Sequence, residues 1–310
     1  MVHFIKKIPL ALAGLILGII ALGNLFAGIC PPVRFWIFGF TLPLLVLLFL
    51  RLVVTRENLR KEFSSPVTAS GFAALLMALS FLVNASPFNI AIRWILWLLV
   101  LMLYLLYIAA FSFKFVLSRN LALVYPSWVI VYVGIAAAST VPPLFPAITA
   151  GWWIWVGAVI GYLLLMPVIF YRLLRFGIEK AYYPTLIILA APTSLLLTSY
   201  LNLSPHPNRF FVIGLTLLAQ FLYALVLVRL PKILAQNFTP LYASVTFPLV
   251  NSALALRLSL AELAVNHLFF SILADGQAII AVLSVVYVSY GYFRFFLKIT
   301  EAKDRNSCSL

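Results

Sequence analysis

The chain has 310 residues, 65% of them hydrophobic and 9% charged, with a mean hydropathy of +1.14. So large an apolar share excludes a water-soluble globular domain, and runs of about 20 apolar residues, each long enough to cross a hydrocarbon core as a helix, take up nearly the whole length. The formal net charge of +14 does not point to nucleic acid, because the cations recur at intervals between apolar runs instead of forming one patch.

Pro9, Pro66, Pro126, Pro184 and Pro240 follow one another at intervals of 57, 60, 58 and 56 residues. Each opens an apolar run, followed by a short break, a second apolar run and a basic segment. A period this regular is an internal repeat. The unit is a pair of membrane helices used five times, in repeats at 9–61, 66–119, 126–180, 184–232 and 240–298, with a short cytoplasmic tail at 299–310. The chain is thus expected to be one all-α polytopic transmembrane domain. Its ten helices form five hairpins with pseudo-fivefold symmetry around a central pore. A β-barrel would show short alternating segments instead.

In chain order, the first spans of the repeats are expected at 9–29, 66–83, 126–142, 184–201 and 240–257. The second spans are expected at 33–54, 91–113, 147–171, 209–228 and 266–293. Lys6, Lys7 and the run after them resemble a signal peptide, but the run is long for one and is the first member of the repeat, so it is read as retained. A proline at the start of each odd span suits the first helical turn, where its missing N–H costs nothing. The loops between the two spans of a repeat carry breakers, Pro31-Pro32, Asn84 to Pro87, Pro142-Pro143 and Pro205-His206-Pro207. Trp36, Trp94, Trp97, Trp128, Trp152, Trp153 and Trp155 fall mostly near span ends, as interfacial anchors do.

Of the 21 Lys and Arg, 17 fall on one face: Lys6, Lys7 and the basic segments that close each repeat. Arg34, Arg93, Arg209 and Arg257 fall on the other. The positive-inside rule places both termini in the cytoplasm of a cell membrane. Cys30 and Cys308 then lie on opposite faces and cannot pair within one chain.

The odd spans carry no formal charge before Arg257 and hold Gly14, Gly18, Gly23, Gly71, Gly134, Pro192 and Pro248. The even spans are rich in Leu, Ile, Val and aromatics, which suits contact with lipid. Five odd helices enclosed by five even ones is the simplest packing, since small residues let helices approach closely. Pro192 and Pro248 are expected to kink their helices and free the carbonyls of Ile188 and Ser244.

His3, His206 and His267 show no metal-ligand spacing, and neither cysteine has a metal-site neighbour. No phosphate loop, dinucleotide fingerprint or nucleophile elbow is present, so nothing points to an enzyme, a catalytic residue, a metal or a cofactor. Five of the seven acids, Glu62 among them, sit in basic segments and read as local charge balance. Asp275 is the one acid near the hydrocarbon region, either a proton site or a residue of the outer interface.

Five segments, in order, carry a family resemblance. The glycine-rich run through Gly14 and Gly18 resembles the opening helix of the tellurite-resistance TehA proteins, which belong with the plant slow-type anion channels and the yeast malate permeases. Arg60-Lys-Glu-Phe-Ser-Ser-Pro66-Val resembles the basic stretch before the third helix, and Tyr125-Pro126-Ser127-Trp128 a His-Pro-Ser motif opening the fifth, with Tyr125 in place of the histidine. Ala191-Pro192 with Tyr200 resembles the seventh helix, and Tyr242 through Phe247-Pro248 the ninth. The resemblance implies a pore in each subunit, a homotrimer in the lipid bilayer, and passage of small anions such as chloride, nitrate or four-carbon dicarboxylates. It also implies a phenylalanine of the ninth helix as gate, matched here by Phe247.

A phenyl ring in a narrow pore excludes hydrated ions sterically and by dewetting. Gly14 and Gly18 read either as packing contacts or as room for that ring, and Pro248 as the kink that lets it rotate. Arg257 reads either as an anion-attracting cation at the outer mouth or as an interfacial residue paired with Glu262. The leading expectation is an anion channel. The alternative is a proton-coupled transporter of four-carbon dicarboxylates or other oxyanions such as tellurite, which needs a titratable site near the midplane.

Overall fold

The computed structural model describes residues 2–55, 57, 61–140 and 148–307, with the backbone alone at 2, 3, 34, 38 and 302–307. Arg56, Arg60, the Pro142-Pro143 pair and Cys308 lie outside the described residues, as do the side chains of His3 and Arg34. The fold is all helical, and eight of the described helices are long and apolar enough to cross a membrane. Two shorter apolar stretches, Leu12–Ala27 and Trp128–Ser139, accompany them.

The main helices are α1 (Leu12–Ala27), α2 (Pro31–Val54), α3 (Pro66–Ala85), α4 (Ile90–Phe111), α5 (Trp128–Tyr132), α6 (Ile148–Phe176), α7 (Ala191–Leu203), α8 (Arg209–Leu227), α9 (Ala243–Glu262) and α10 (Leu268–Ser307). Burial divides them. In the most apolar stretch of the spans containing α2, α4, α6, α8 and α10, 22–33% of residues are buried; in those containing α3, α7 and α9, 56–83% are. The inner elements close into a ring: α1 packs on α3, α3 on α5 and the turn after it, that turn on α7, α7 on α9, and α9 back on α1. Each outer helix packs on the inner element that precedes it in the chain. Their apolar outer surfaces, with Trp36, Leu106, Leu164, Leu217 and Leu283 exposed, suit a hydrocarbon solvent.

The prolines act less uniformly than their spacing suggests. Pro66 is the first residue of α3, as expected. Pro240 instead opens a 3₁₀ turn, and Pro184 sits within an eleven-residue 3₁₀ helix, Lys180–Ala190, that runs into α7. A further 3₁₀ stretch, Gly134–Ser139, follows α5. The tighter coil rises about 2.0 Å per residue against about 1.5 Å in an α-helix, so it gains length with fewer residues. Breakers are also not confined to inner helices, since Pro43 lies inside α2 and Pro167 inside α6.

Several tryptophans are not interfacial anchors. Trp97 of α4 and Trp155 of α6 are buried and donate their ring N–H to the carbonyls of Ala138 and Leu196, at 2.8 and 2.9 Å. Tyr104 and Tyr107 of α4 likewise donate to the carbonyls of Ile130 and Ala69, and Tyr292 of α10 to that of Pro240. Irregular inner backbone has carbonyls without a helical partner, and in hydrocarbon each needs a donor. Outer-helix aromatics supply it at Ile130, Ala138 and Pro240, whereas Ala69 and Leu196 lie inside α3 and α7 and gain an additional donor. Gly134 makes room for one of them, because a Cβ there would meet the Tyr104 hydroxyl at 2.5 Å.

Candidate functional site

All five inner elements contribute to one axial constriction, a cavity of about 30 Å³. Gly14 of α1, Met77 of α3, Gly134 after α5, Pro192 of α7, and Phe247 and Pro248 of α9 line it. Among the described residues no charged side chain is in its lining, and Ser244 is the one polar residue there. At about 10–15 Å³ per water-sized sphere, such a space takes two or three waters at most. Next to it, toward the basic segments, lies a wider cavity of about 320 Å³, bordered by Thr68, Ser70, Ser127, Thr185, Thr239 and Ser244. Gly14, Ala74, Ile130, Ile188, Ala243 and Ser244 border both cavities, so the two adjoin along the axis.

Phe247 is 6% exposed, and its ring centroid lies 6.3 Å from that of Phe81. The close approach of α1 and α9 fixes its height. A Cβ on Gly14 would lie 3.2 Å from Ala243 Cβ, and one on Gly18 would run into the Thr246 side chain, 3.2 Å from the Phe247 nitrogen. The Thr246 hydroxyl donates to the carbonyls of Gly14, at 3.1 Å, and Ala243, at 2.8 Å. Gly18 is therefore a packing contact that seats Thr246, whereas Gly14 is both a contact and part of the constriction wall.

The two prolines differ from expectation. The Ile188 carbonyl is not freed, because it accepts from the Ala191 N–H at the junction of the 3₁₀ helix and α7. Pro192 is in the first turn of α7, where its lack of an N–H suits the position. Pro248 lies inside α9, which continues through it from Ala243 to Glu262. The Ser244 carbonyl thereby lacks its usual donor four residues on. Beyond Phe247, Asn251 donates to Ser194 Oγ at 3.0 Å, tying α9 to α7.

Arg257 and Asp275, read separately in the sequence, are brought together. Arg257 Nη2 donates to Asp275 Oδ1 at 2.7 Å, with side-chain exposures of 23% and 68%. The partner of Arg257 is thus Asp275 and not Glu262, because α10 returns along α9 and carries Asp275 past its end. Neither residue borders the axial cavities.

One residue at the site was not legible. Glu62 borders the wider cavity and pairs with Arg51 of α2, a guanidinium only 2% exposed whose Nε also donates to the Ile8 carbonyl at 2.9 Å. The charge it balances is that of Arg51, a buried cation of the same basic segment. Placed at the mouth of the axial space, its negative charge is held against a buried cation. Nothing in a run of mixed charges distinguishes Glu62 from its neighbours. Tyr125 packs between neighbours, with Arg172 over its ring at 4.5 Å and Tyr182 against its edge.

A protein-family model described as voltage-dependent anion channel matches residues 7–293. No curated protein matches the chain.

Proposed function

Because the chain belongs to the voltage-dependent anion channel family, which takes in the TehA proteins and the malate transporters, we propose that it is an anion channel whose gate is Phe247. The observation that carries this reading is the position of that ring in a constriction lined by all five inner elements. An anion reaching it from the wider cavity meets hydroxyl groups and a neutralised Glu62–Arg51 pair. It then meets an apolar neck too small for its hydration shell. Among the described residues the neck holds no acid to repel the anion and no cation to trap it, so the barrier is steric and one of dewetting. The N-terminal end of α7 adds a partial positive charge beside it.

The same reading comprises ten spans in five hairpins with pseudo-fivefold symmetry, one pore per subunit and a homotrimer. It places both termini in the cytoplasm of a cell membrane. Chloride, nitrate and four-carbon dicarboxylates are the proposed permeants. A proton-coupled transporter of dicarboxylates or of oxyanions such as tellurite is the competing reading. It needs a titratable group on the pathway, and Asp275, paired with Arg257 away from the axis, does not meet that need. Planar-bilayer recording under opposed chloride and potassium gradients tests the proposal. A reversal potential that follows potassium rejects it, and transport that strictly requires a proton gradient favours the transporter.

A further inference from the structure

Two large cavities lie away from the axis, between outer helices. One, of about 420 Å³, opens between the ends of α6 and α8 that lead into basic segments. Phe170 and Leu174 of α6 and Leu225 of α8 form its walls, Leu186 of the 3₁₀ helix contributes to its floor, and Arg229 and Lys232 stand at its rim. The other, of about 410 Å³, has the same build one repeat earlier, between α4 and α6, with Arg119 at its rim.

Arg229 and Lys232 are exposed. Among the described residues, ion pairs join Arg51 to Glu62 and Arg257 to Asp275, and neither rim cation takes part in one. Glu179, one position past the groove-lining Ile178, is exposed and takes part in no ion pair among the described residues. An apolar slot on a face solvated by hydrocarbon, ending in two unpaired cations at the polar boundary, is complementary to a molecule with an apolar chain and an anionic head.

We infer that the groove between α6 and α8 holds an acyl chain of an anionic phospholipid whose phosphate is bound by Arg229 and Lys232. The acyl chain replaces looser bilayer contacts along Phe170, Leu174 and Leu225. The phosphate completes the charge of the rim. A zwitterionic lipid brings its own cation to the same place and gains less. Cations near an anionic head are each worth about 5-fold in relative affinity, so the pair gives a preference of roughly 30-fold. The groove with Arg119 alone should show the smaller factor.

The test is native mass spectrometry of the full-length protein, titrated with phosphatidylglycerol or with phosphatidylcholine of the same chains. Wild type should retain phosphatidylglycerol about 30-fold more strongly at its tightest site. Arg229→Gln with Lys232→Gln should cut the preference to about 5-fold or less, while Arg229→Lys should keep it. Leu225→Trp fills the slot from an exposed position and should weaken retention of both lipids without altering the melting temperature. Equal retention of the two lipids by wild type overturns the inference, as does an unchanged preference in the double variant. If Leu225→Trp leaves retention intact, the lipid sits on the basic surface and not in the groove. If that variant instead breaks the oligomer while no lipid is lost, a second copy covers the groove, and the inference fails.

Discussion

Replacing Phe247 by alanine removes the six ring carbons that close the constriction. The present space of about 30 Å³ admits a few waters but no hydrated anion, so on the proposed reading the ring is the main obstacle to an anion that has crossed the wider cavity. A tenfold rise in chloride conductance needs only about 1.4 kcal/mol off the barrier. Opening an apolar neck should exceed that. Stability provides the control. A phenylalanine in a packed core costs about 3–5 kcal/mol when cut to alanine. One side of the Phe247 ring already faces a cavity, so its loss should cost about 3 kcal/mol or less. Phe111, 1% exposed and wedged between Phe115 and Trp128, should cost the full amount and open nothing. The assay pairs single-channel recording in planar bilayers with thermal melting of the same purified protein. Phe247→Leu should conduct at an intermediate level. A Phe247→Ala protein that melts near wild type yet conducts no better would refute the gate.

Chloride and nitrate gradients, not potassium, should set the reversal potential, and Asp275→Asn should leave the current in place; abolition by that change would instead support coupled transport. Gly18→Ala should destabilise the protein by about 1–3 kcal/mol through collision with Thr246, whereas Gly39→Ala, with open space at its Cβ, should be close to neutral in the same melting assay. Arg51→Met strands the Glu62 carboxylate and the Ile8 carbonyl and should cost about 3–5 kcal/mol; adding Glu62→Gln should recover part of that loss, and strict additivity of the two changes would argue against the pair.

The division of helices into buried and lipid-facing sets was legible because it follows composition. Gly14, Gly18 and Gly71 have no side chain to offer lipid, and the leucine-rich runs of α4 and α6 have little else to offer. The placement of Phe247 was legible only through the resemblance, since 26 phenylalanines leave periodicity no way to single one out. What escaped was set by tertiary context. The 3₁₀ helix around Pro184 is held between α8 and α9, which the local sequence does not show. Trp97 and Trp155 look like anchors until the carbonyls they satisfy come into view. The Arg51–Glu62 and Arg257–Asp275 pairs join separate elements, 11 and 18 positions apart in the chain, and no helical spacing marks them.

Closure of the inner ring through Thr246 and Gly14 spans 232 positions of sequence. At ribosomal rates of about 5–20 residues per second, α1 enters the membrane some 10–45 s before the helix that completes its packing exists. During that interval its narrow glycine face has no permanent neighbour on one side. A chain that stops before α9 lacks the element that packs on both α1 and α7 and closes the inner ring. Biogenesis therefore depends on the last hairpin, and a truncated product is expected to be a substrate for membrane quality control.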